Sequence, residues 1–218
     1  MSRITRLVTV ALLNVALVAG LVAVGLAAHS LGVLAAGGDY LADAAAIGVS
    51  LLAITLSRRP PSPGHPAGYP HATAYAALLN ATALLAVAAV VGIAAGRRLV
   101  AGGGHVHGLP VLIASGAAAL TMLGAGLILH GDADQEDDSE GDRANMRAVL
   151  LDTLADSATA ASVAASGAII LAAPALSWLD PAVALVIALV IGYHAARLVR
   201  DVVRTLRGSR AHQQARAG

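Results

Sequence analysis

The sequence predicts an all-α membrane protein that crosses the bilayer six times, with both termini in the cytoplasm and no soluble domain. Three observations lead to this fold class. Hydrophobic residues make up 57% of the 218 residues and charged residues 12%, against roughly 25% charged residues in ordinary soluble domains. A soluble domain of this size could not bury so much apolar surface. The apolar residues are also gathered into six long stretches.

Each stretch has the roughly 20 apolar residues that a transmembrane helix needs. The stretches cover residues 7–28, 31–56, 73–95, 109–130, 146–173 and 181–203. The first is too long for the core of a signal peptide and lacks a convincing cleavage site, so we expect it to be retained. Pro174 separates the fifth stretch from the sixth.

The connections between the stretches are short and carry turn-forming or charged residues. Residues 57–68 contain four prolines and cannot continue a helix. Residues 97–108 are rich in glycine, and residues 131–142 hold seven carboxylates, which indicates a solvated loop. The sequence therefore predicts a six-helix transmembrane domain over residues 1–206 and a short Arg-rich cytoplasmic tail over residues 207–218.

The distribution of arginine predicts the orientation, because cytoplasmic loops carry an excess of positive charge. With the N-terminus in the cytoplasm, twelve arginines lie inside and two outside. The outer two are Arg97 and Arg98. The inner ones are Arg3, Arg6, Arg58, Arg59, Arg143, Arg147, Arg197, Arg200, Arg204, Arg207, Arg210 and Arg216.

Four carboxylates inside the apolar stretches are the most informative residues. Asp39 and Asp43 lie in the second stretch, and Asp152 and Asp156 lie in the fifth. Each costs about 2.5–3.5 kcal/mol near the centre of a membrane helix. Within each pair the spacing is i, i+4, which places both carboxylates on one face of a helix. The four residues therefore predict one functional site formed by two helices.

A divalent cation is the ligand that stabilises such a cluster, because unpaired charges in a membrane are costly. Without metal, the four carboxylates would not all stay ionised and would take up protons as a coupled set. Metal binding would then release protons, and protons would displace metal. This is the chemistry of a metal/proton exchanger. In a purely structural role, each Asp would only accept hydrogen bonds from a neighbouring backbone. That role explains the two i, i+4 pairs on two helices less well than metal binding does.

The order of motifs from about residue 31 to residue 206 resembles the cation diffusion facilitator family of metal/proton antiporters. The second stretch, GGDYLADAAAIGVSLLAI, is similar to the family segment in which an acid or His is followed by three residues and Asp. A Pro-rich loop then carries an H-x-x-G-Y core at His65, Gly68 and Tyr69. AALLNA at 76–81, LLDTLADSATAASVAA in the fifth stretch and WLDPAVAL at 178–185 continue the likeness.

The resemblance implies a transporter rather than an enzyme. Such a transporter exports a divalent metal through a six-helix bundle in exchange for protons. It also implies that Asp39, Asp43, Asp152 and Asp156 are the metal ligands. Zinc-transporting members usually have His at the first position of the fifth-helix pair, whereas this chain has Asp there. An all-oxygen site favours Mn²⁺ or Fe²⁺, with Zn²⁺ as the alternative. We expect the family's cytoplasmic C-terminal domain to be absent.

The remaining candidates are assigned structural roles. His105 and His107 are interpreted as an ordinary polar loop, His29 and His130 as anchors at the membrane interface, and His194 as a packed polar residue rather than a proton relay. The acidic residues 132–142 are interpreted as a solubilising loop, although metal attraction is an alternative there and at His65. The Arg-rich tail is expected to contact anionic lipid.

Two other functions are weighed against transport. An intramembrane aspartyl hydrolase could use two aspartates that share a proton, but it would not need four. A non-transporting membrane scaffold is the third possibility. The expected partners are the lipid bilayer and a second copy of the chain, packed through transmembrane helices, and no nucleic acid. The expected location is a prokaryotic inner membrane.

Overall fold

The computed structural model describes the backbone of residues 3–58, 72–133 and 140–217. Side chains are described over residues 15–46, 48–49, 51–58, 72–124, 150–151, 153–204 and 206. Within these ranges the chain is almost entirely helical and contains no strand. The described residues thus confirm the predicted all-α class.

The described residues form six successive α-helices, in agreement with the six predicted stretches. They are α1 (Arg3–Ala27), α2 (Leu31–Ser57), α3 (Ala72–Val100), α4 (Gly108–Ala133), α5 (Glu140–Ala172) and α6 (Leu179–Ala217). A short 3-10 turn, Pro174–Leu176, separates α5 from α6, where Pro174 was expected to break the helix.

Several helices are longer than the apolar stretches that predict them. The backbone of α5 already begins at Glu140, and α6 continues without a break to Ala217. The Arg-rich tail is therefore a continuation of α6 as far as its backbone is described. Acidic residues at the start of a helix and arginines towards its end both favour the helix dipole, which explains why polar residues extend these two helices beyond the apolar stretches.

Four of the helices have described segments that are long and apolar enough to cross a bilayer. The segments are Leu31–Ser57, Ala72–Val100, Thr153–Ala172 and Pro174–Arg204. The described parts of α1 and α4 are apolar but shorter, Val15–Ala27 and Gly108–Gly124. Large apolar side chains such as Val90, Leu120 and Leu189 are more than 60% exposed, as expected for residues that face lipid rather than water.

Helix α2 is the centre of the bundle, because it contacts all five other helices. The most extensive packing lies on either side of it, where α4 runs along α5 and α3 runs along α6. Tyr40 of α2 is 2% exposed and belongs to the same buried cluster as Leu21, Val111 and Val163. Because α2 is surrounded in this way, its side chains can contact residues from several other helices.

The outer ends of α2 and α6 are joined through Asp180, which is fully buried. Its carboxylate accepts hydrogen bonds from the Ser30 hydroxyl, from Leu31 N at 2.8 Å and from Gly32 N at 3.3 Å. These are donors at the start of α2, which have no partner within the helix. A carboxylate at this position is also stabilised by the helix dipole. Asp180 therefore sets the level of α6 against α2.

Helices α4 and α5 approach closely where glycine faces glycine. A Cβ added to Gly167 would lie 2.7 Å from Leu112 N and 3.0 Å from Gly108 O, and one added to Gly108 would lie 2.6 Å from Gly167 O. All of these neighbours are main-chain atoms, which cannot rotate away. Small residues allow membrane helices to pack backbone against backbone in this manner.

Gly167→Ala should lower the free energy of unfolding by about 1–3 kcal/mol, because the added methyl group overpacks the α4–α5 contact. Gly116→Ala is the matched control on α4, since a Cβ there meets nothing within 4 Å. The control should be neutral or slightly stabilising because Ala favours a helix. Thermal unfolding of the purified protein in detergent measures both, and equal midpoints would contradict the close contact.

Candidate metal centre

Three of the four predicted site residues meet inside the bundle. Asp39 and Asp43 lie one turn apart on α2, and Asp156 lies on α5. One carboxylate oxygen of each lies within 4.8 Å of the other two, and all three residues are half-buried. The fold therefore joins carboxylates from the two helices named by the sequence.

The fourth predicted residue, Asp152, lies one turn before Asp156 on the α5 backbone. Its side chain is outside the described residues, so its place in the cluster stays a prediction. The i, i+4 spacing gives it the same helical face as Asp156.

Hydrogen bonds between helices hold the backbone around the cluster. The Tyr40 hydroxyl donates to the main-chain carbonyl of Asp156 at 3.0 Å, which ties α2 to α5. The Ser157 hydroxyl donates to the carbonyl of Ala119 at 3.0 Å, which ties α5 to α4. Tyr40 and Ser157 each adjoin a clustered carboxylate in the sequence. The same turns that present the carboxylates are therefore held against their neighbours.

Close packing just before Asp39 also determines where α2 lies. A Cβ on Gly37 would stand 3.2 Å from the Cβ of Leu21 on α1, and one on Gly38 would stand 3.0 Å from Val87 on α3. The two glycines let α2 sit between α1 and α3. Asp39 and Asp43 can then face α5 while the opposite side of α2 is packed.

The three carboxylates line a cavity of about 460 Å³ between α2, α3, α5 and α6. Most of its wall is aliphatic, and its polar side chains are the three carboxylates, Thr159, Ser162 and His194. The complete lining is Asp39, Asp43, Leu84, Ala155, Asp156, Ala158, Thr159, Ser162, Val186, Ile187, Val190, Ile191, His194, Ala195 and Leu198.

No arginine is among the described residues that line the cavity, so none of them supplies a fixed positive charge. The ion pair formed by Arg197 and Asp201 at 3.9 Å is well exposed on α6. Three ionised carboxylates this close repel one another, and burial further raises the free energy of their charged forms. The arrangement can relieve that repulsion by binding a cation or by taking up protons.

His194 is the site residue that the sequence interpretation missed. It was expected to be a packed polar residue, but its side chain is exposed and lines the same cavity as the carboxylates. Ile187, Ile191, His194 and Leu198 recur at helical spacing on α6, which makes them one face. That spacing is visible in the sequence. Only the packing of α6 shows that this face is turned towards α2 and α5.

His105 and His107 lie in the connection between α3 and α4, as expected, whereas the interface anchoring expected of His29 stays a prediction. The ring centroids of His29 and His107 are 6.2 Å apart, and those of His105 and His107 are 5.8 Å apart. The Arg98 guanidinium donates to the carbonyls of both His29 and His105. A fixed positive charge therefore lies beside the main chain of two of these histidines, which disfavours a cation there. The side chains of His65, His71, His130 and residues 132–142 are outside the described residues.

A family model described as the cation efflux transmembrane domain matches residues 7–207 of the chain. Zinc transporter ZitB of Escherichia coli K12 is 32% identical over 187 residues, which are 84% of this chain and 56% of that protein. ZitB of Yersinia pseudotuberculosis is 31% identical over 173 residues, 79% of this chain and 53% of that protein. The mouse proton-coupled zinc antiporter SLC30A2 is 25% identical over 189 residues, 84% of this chain and 51% of that protein.

These matches confirm the resemblance that the motifs indicated and a multi-pass location in the membrane. The family is one of transporters rather than enzymes, in agreement with the sequence interpretation. Its bacterial relatives support a bacterial inner membrane. The chain spans about half the length of the curated relatives it matches.

Tyr40→Phe should lower the free energy of unfolding by about 0.5–1.5 kcal/mol, because it removes the hydrogen bond to the Asp156 carbonyl and keeps the ring. Tyr75→Phe is the matched control, since Tyr75 is 52% exposed on α3. Denaturant unfolding in detergent compares the two variants. The assigned α2–α5 bond would be wrong if both variants unfolded like the original protein.

Proposed function

Because the chain belongs to the cation efflux transmembrane domain family, we propose that it exports a divalent cation from the cytoplasm in exchange for protons. The ion is held by Asp39, Asp43, Asp152 and Asp156. The observation that supports this most strongly is the cluster of three half-buried carboxylates from α2 and α5 in one intramembrane cavity.

The geometry of the cluster is close to what one ion needs. Carboxylate oxygens bind Zn²⁺ at about 2.0–2.2 Å, so two oxygens on one tetrahedral ion lie roughly 3.4 Å apart. The three oxygens lie within 4.8 Å of one another. Binding one ion would draw these oxygens closer together through rotation of the half-buried side chains.

Proton exchange follows from the same charges. When the ion leaves, the carboxylates are again close together and poorly solvated, so protons take its place. When an ion returns, it requires deprotonated ligands and releases those protons. Exposure of the cavity to one side of the membrane at a time then couples the two flows. The chemistry needs no charged partner other than these carboxylates.

Zn²⁺ is the ion we propose. The bacterial relatives are named zinc transporters, and the mouse relative is named a proton-coupled zinc antiporter. The preference for Mn²⁺ or Fe²⁺, expected from four carboxylates, finds no support in these relatives. Carboxylates are also ordinary zinc ligands, so the donor set is compatible with zinc.

We also propose that residues 1–206 form the transport unit and residues 207–218 a cytoplasmic tail, and that the unit pairs with a second copy through its transmembrane helices. Exposed apolar side chains on α3, including Leu79, Val90 and Ile93, can face either lipid or a second copy. The dimer stays a prediction.

Asp156→Asn should abolish the exchange, because it removes one charge from the cluster and leaves the side chain nearly the same size. The measurement is Zn²⁺ uptake into proteoliposomes, with a pH dye to record the opposite proton movement. Asp201→Asn is the matched control, since Asp201 is exposed on α6 and outside the cavity. Uptake by the Asp156 variant at the original rate would overturn the site.

The original protein itself separates the candidate functions. Metal uptake with opposite proton movement supports the exchanger. If the protein is folded and inserted but moves no metal and releases no protons when metal is added, the result favours a non-transporting scaffold. An intramembrane hydrolase would cleave substrates without metal movement.

Asp152→His should raise the ratio of Zn²⁺ uptake to Mn²⁺ uptake, because an imidazole nitrogen suits Zn²⁺ better than Mn²⁺. Both ions are offered separately to the same proteoliposomes. An unchanged ratio would mean that residue 152 does not contribute to selectivity.

A further inference from the structure

We propose that His194 is a zinc-selective ligand on the cytoplasmic side of the carboxylates, which binds the ion before it reaches Asp39, Asp43 and Asp156. This inference rests on the proposed function and adds a residue from α6 to a site that otherwise comes from α2 and α5. No motif of the sequence points to His194.

His194 and the three carboxylates line one cavity, so an ion in that cavity can meet all four side chains. The other polar side chains of the wall are the hydroxyls of Thr159 and Ser162. His194 is therefore the single side chain with a nitrogen ligand atom among the described lining residues. It is not part of the compact three-carboxylate cluster, which indicates a neighbouring position rather than a fourth ligand to the same ion in this conformation.

The depth of His194 follows from the contact between α2 and α6. Leu31 N donates to Asp180 at 2.8 Å, so these two residues mark one level at the outer end. At about 1.5 Å per residue, Asp39 and Asp43 lie about 12 and 18 Å along α2 from that level, and His194 about 21 Å along α6. His194 thus lies slightly beyond Asp43, and Leu198 continues the cavity wall in the same direction.

That direction leads to the end of the bundle at which the arginine distribution places the cytoplasm. Arg200 and Arg204 follow on α6, whereas Arg97 and Arg98 lie at the opposite end. An ion that moves outward from the cytoplasm would therefore pass His194 before the carboxylates.

Packing does not account for His194. Its side chain is exposed, and the ring contact recorded within the described residues is with its chain neighbour Tyr193, at 5.8 Å between centroids. An imidazole in a cavity wall whose other described polar side chains carry only oxygen can rotate to present a nitrogen. Neutral imidazole is a favoured ligand of Zn²⁺, whereas Mn²⁺ prefers oxygen.

The same residue accounts for zinc at a site built from carboxylates. Carboxylates alone favour harder cations such as Mn²⁺ over Zn²⁺. A nitrogen donor that the ion must pass favours Zn²⁺ before the carboxylates bind it. His194 of α6 would then supply the selectivity for zinc, and the carboxylates of α2 and α5 would supply the negative charge that binds the ion.

The first test uses His194→Cys in the full-length protein, which otherwise contains no cysteine. The new thiol is the only one available to a water-soluble maleimide, and a thiolate is also a zinc ligand. Zn²⁺ at about ten times its Kd should slow labelling of the purified variant by about tenfold, because only the unoccupied fraction reacts, and Mn²⁺ should not. Arg200→Cys, exposed on α6 outside the cavity, should label equally with and without Zn²⁺.

The second test is the ratio of Zn²⁺ to Mn²⁺ uptake in proteoliposomes. His194→Ala should lower Zn²⁺ uptake by about tenfold and leave Mn²⁺ uptake nearly unchanged, while His194→Cys should retain Zn²⁺ uptake. Thermal unfolding confirms that each variant is folded. An equal loss for both metals, or no loss for either, would overturn the selective role.

The two proposals fail in different ways. If the original protein moves no metal, the transport proposal fails, and zinc protection of the introduced thiol still decides whether residue 194 faces a zinc site. If the original protein transports, Asp156→Asn does not, and His194→Ala behaves like the original, then only the role of His194 is overturned. Protection of the Arg200→Cys thiol to the same extent would also overturn it.

Discussion

The cost of placing carboxylates inside an apolar bundle is the constraint on which the rest of this structure depends. Each Asp near the centre of a membrane helix costs about 2.5–3.5 kcal/mol when it is inserted, and three lie close together here. The bundle must therefore be stable enough to hold them near one another. The cavity beside them must also admit whatever compensates their charge. A cation and protons are the two species that can alternate in that role.

The helix that carries two of these carboxylates is also the one that contacts every other helix. Asp180 caps its outer end, and Tyr40 bonds it to α5 beside the cluster. Asp180 and Tyr40 are both buried in the bundle, and buried polar groups of this kind need hydrogen-bond partners within the protein. The central position of α2 thus links the geometry of the site to the packing of the whole bundle.

The ligand atoms around the cavity show that membership of the family and preference for a particular metal depend on different residues. Four carboxylates on α2 and α5 follow from two i, i+4 pairs, and by themselves they favour hard cations. The cavity is also lined by an imidazole from α6, and the proposed role of His194 would shift the balance of donors towards zinc. A comparison of motifs that considers α2 and α5 alone would miss this contribution, because His194 belongs to no motif shared with those helices.

The sequence by itself determined the all-α membrane class, the number of helices and the three clustered aspartates. Apolar length predicts a membrane helix because the bilayer thickness is fixed, and charge in an apolar stretch identifies Asp39, Asp43 and Asp156 because it is so costly. Only the tertiary structure decided that α2 is central, that Asp180 caps it, and that His194 is exposed in the cavity. Periodicity shows which residues share a face of α6, but the direction of that face depends on contacts with residues far away in the chain.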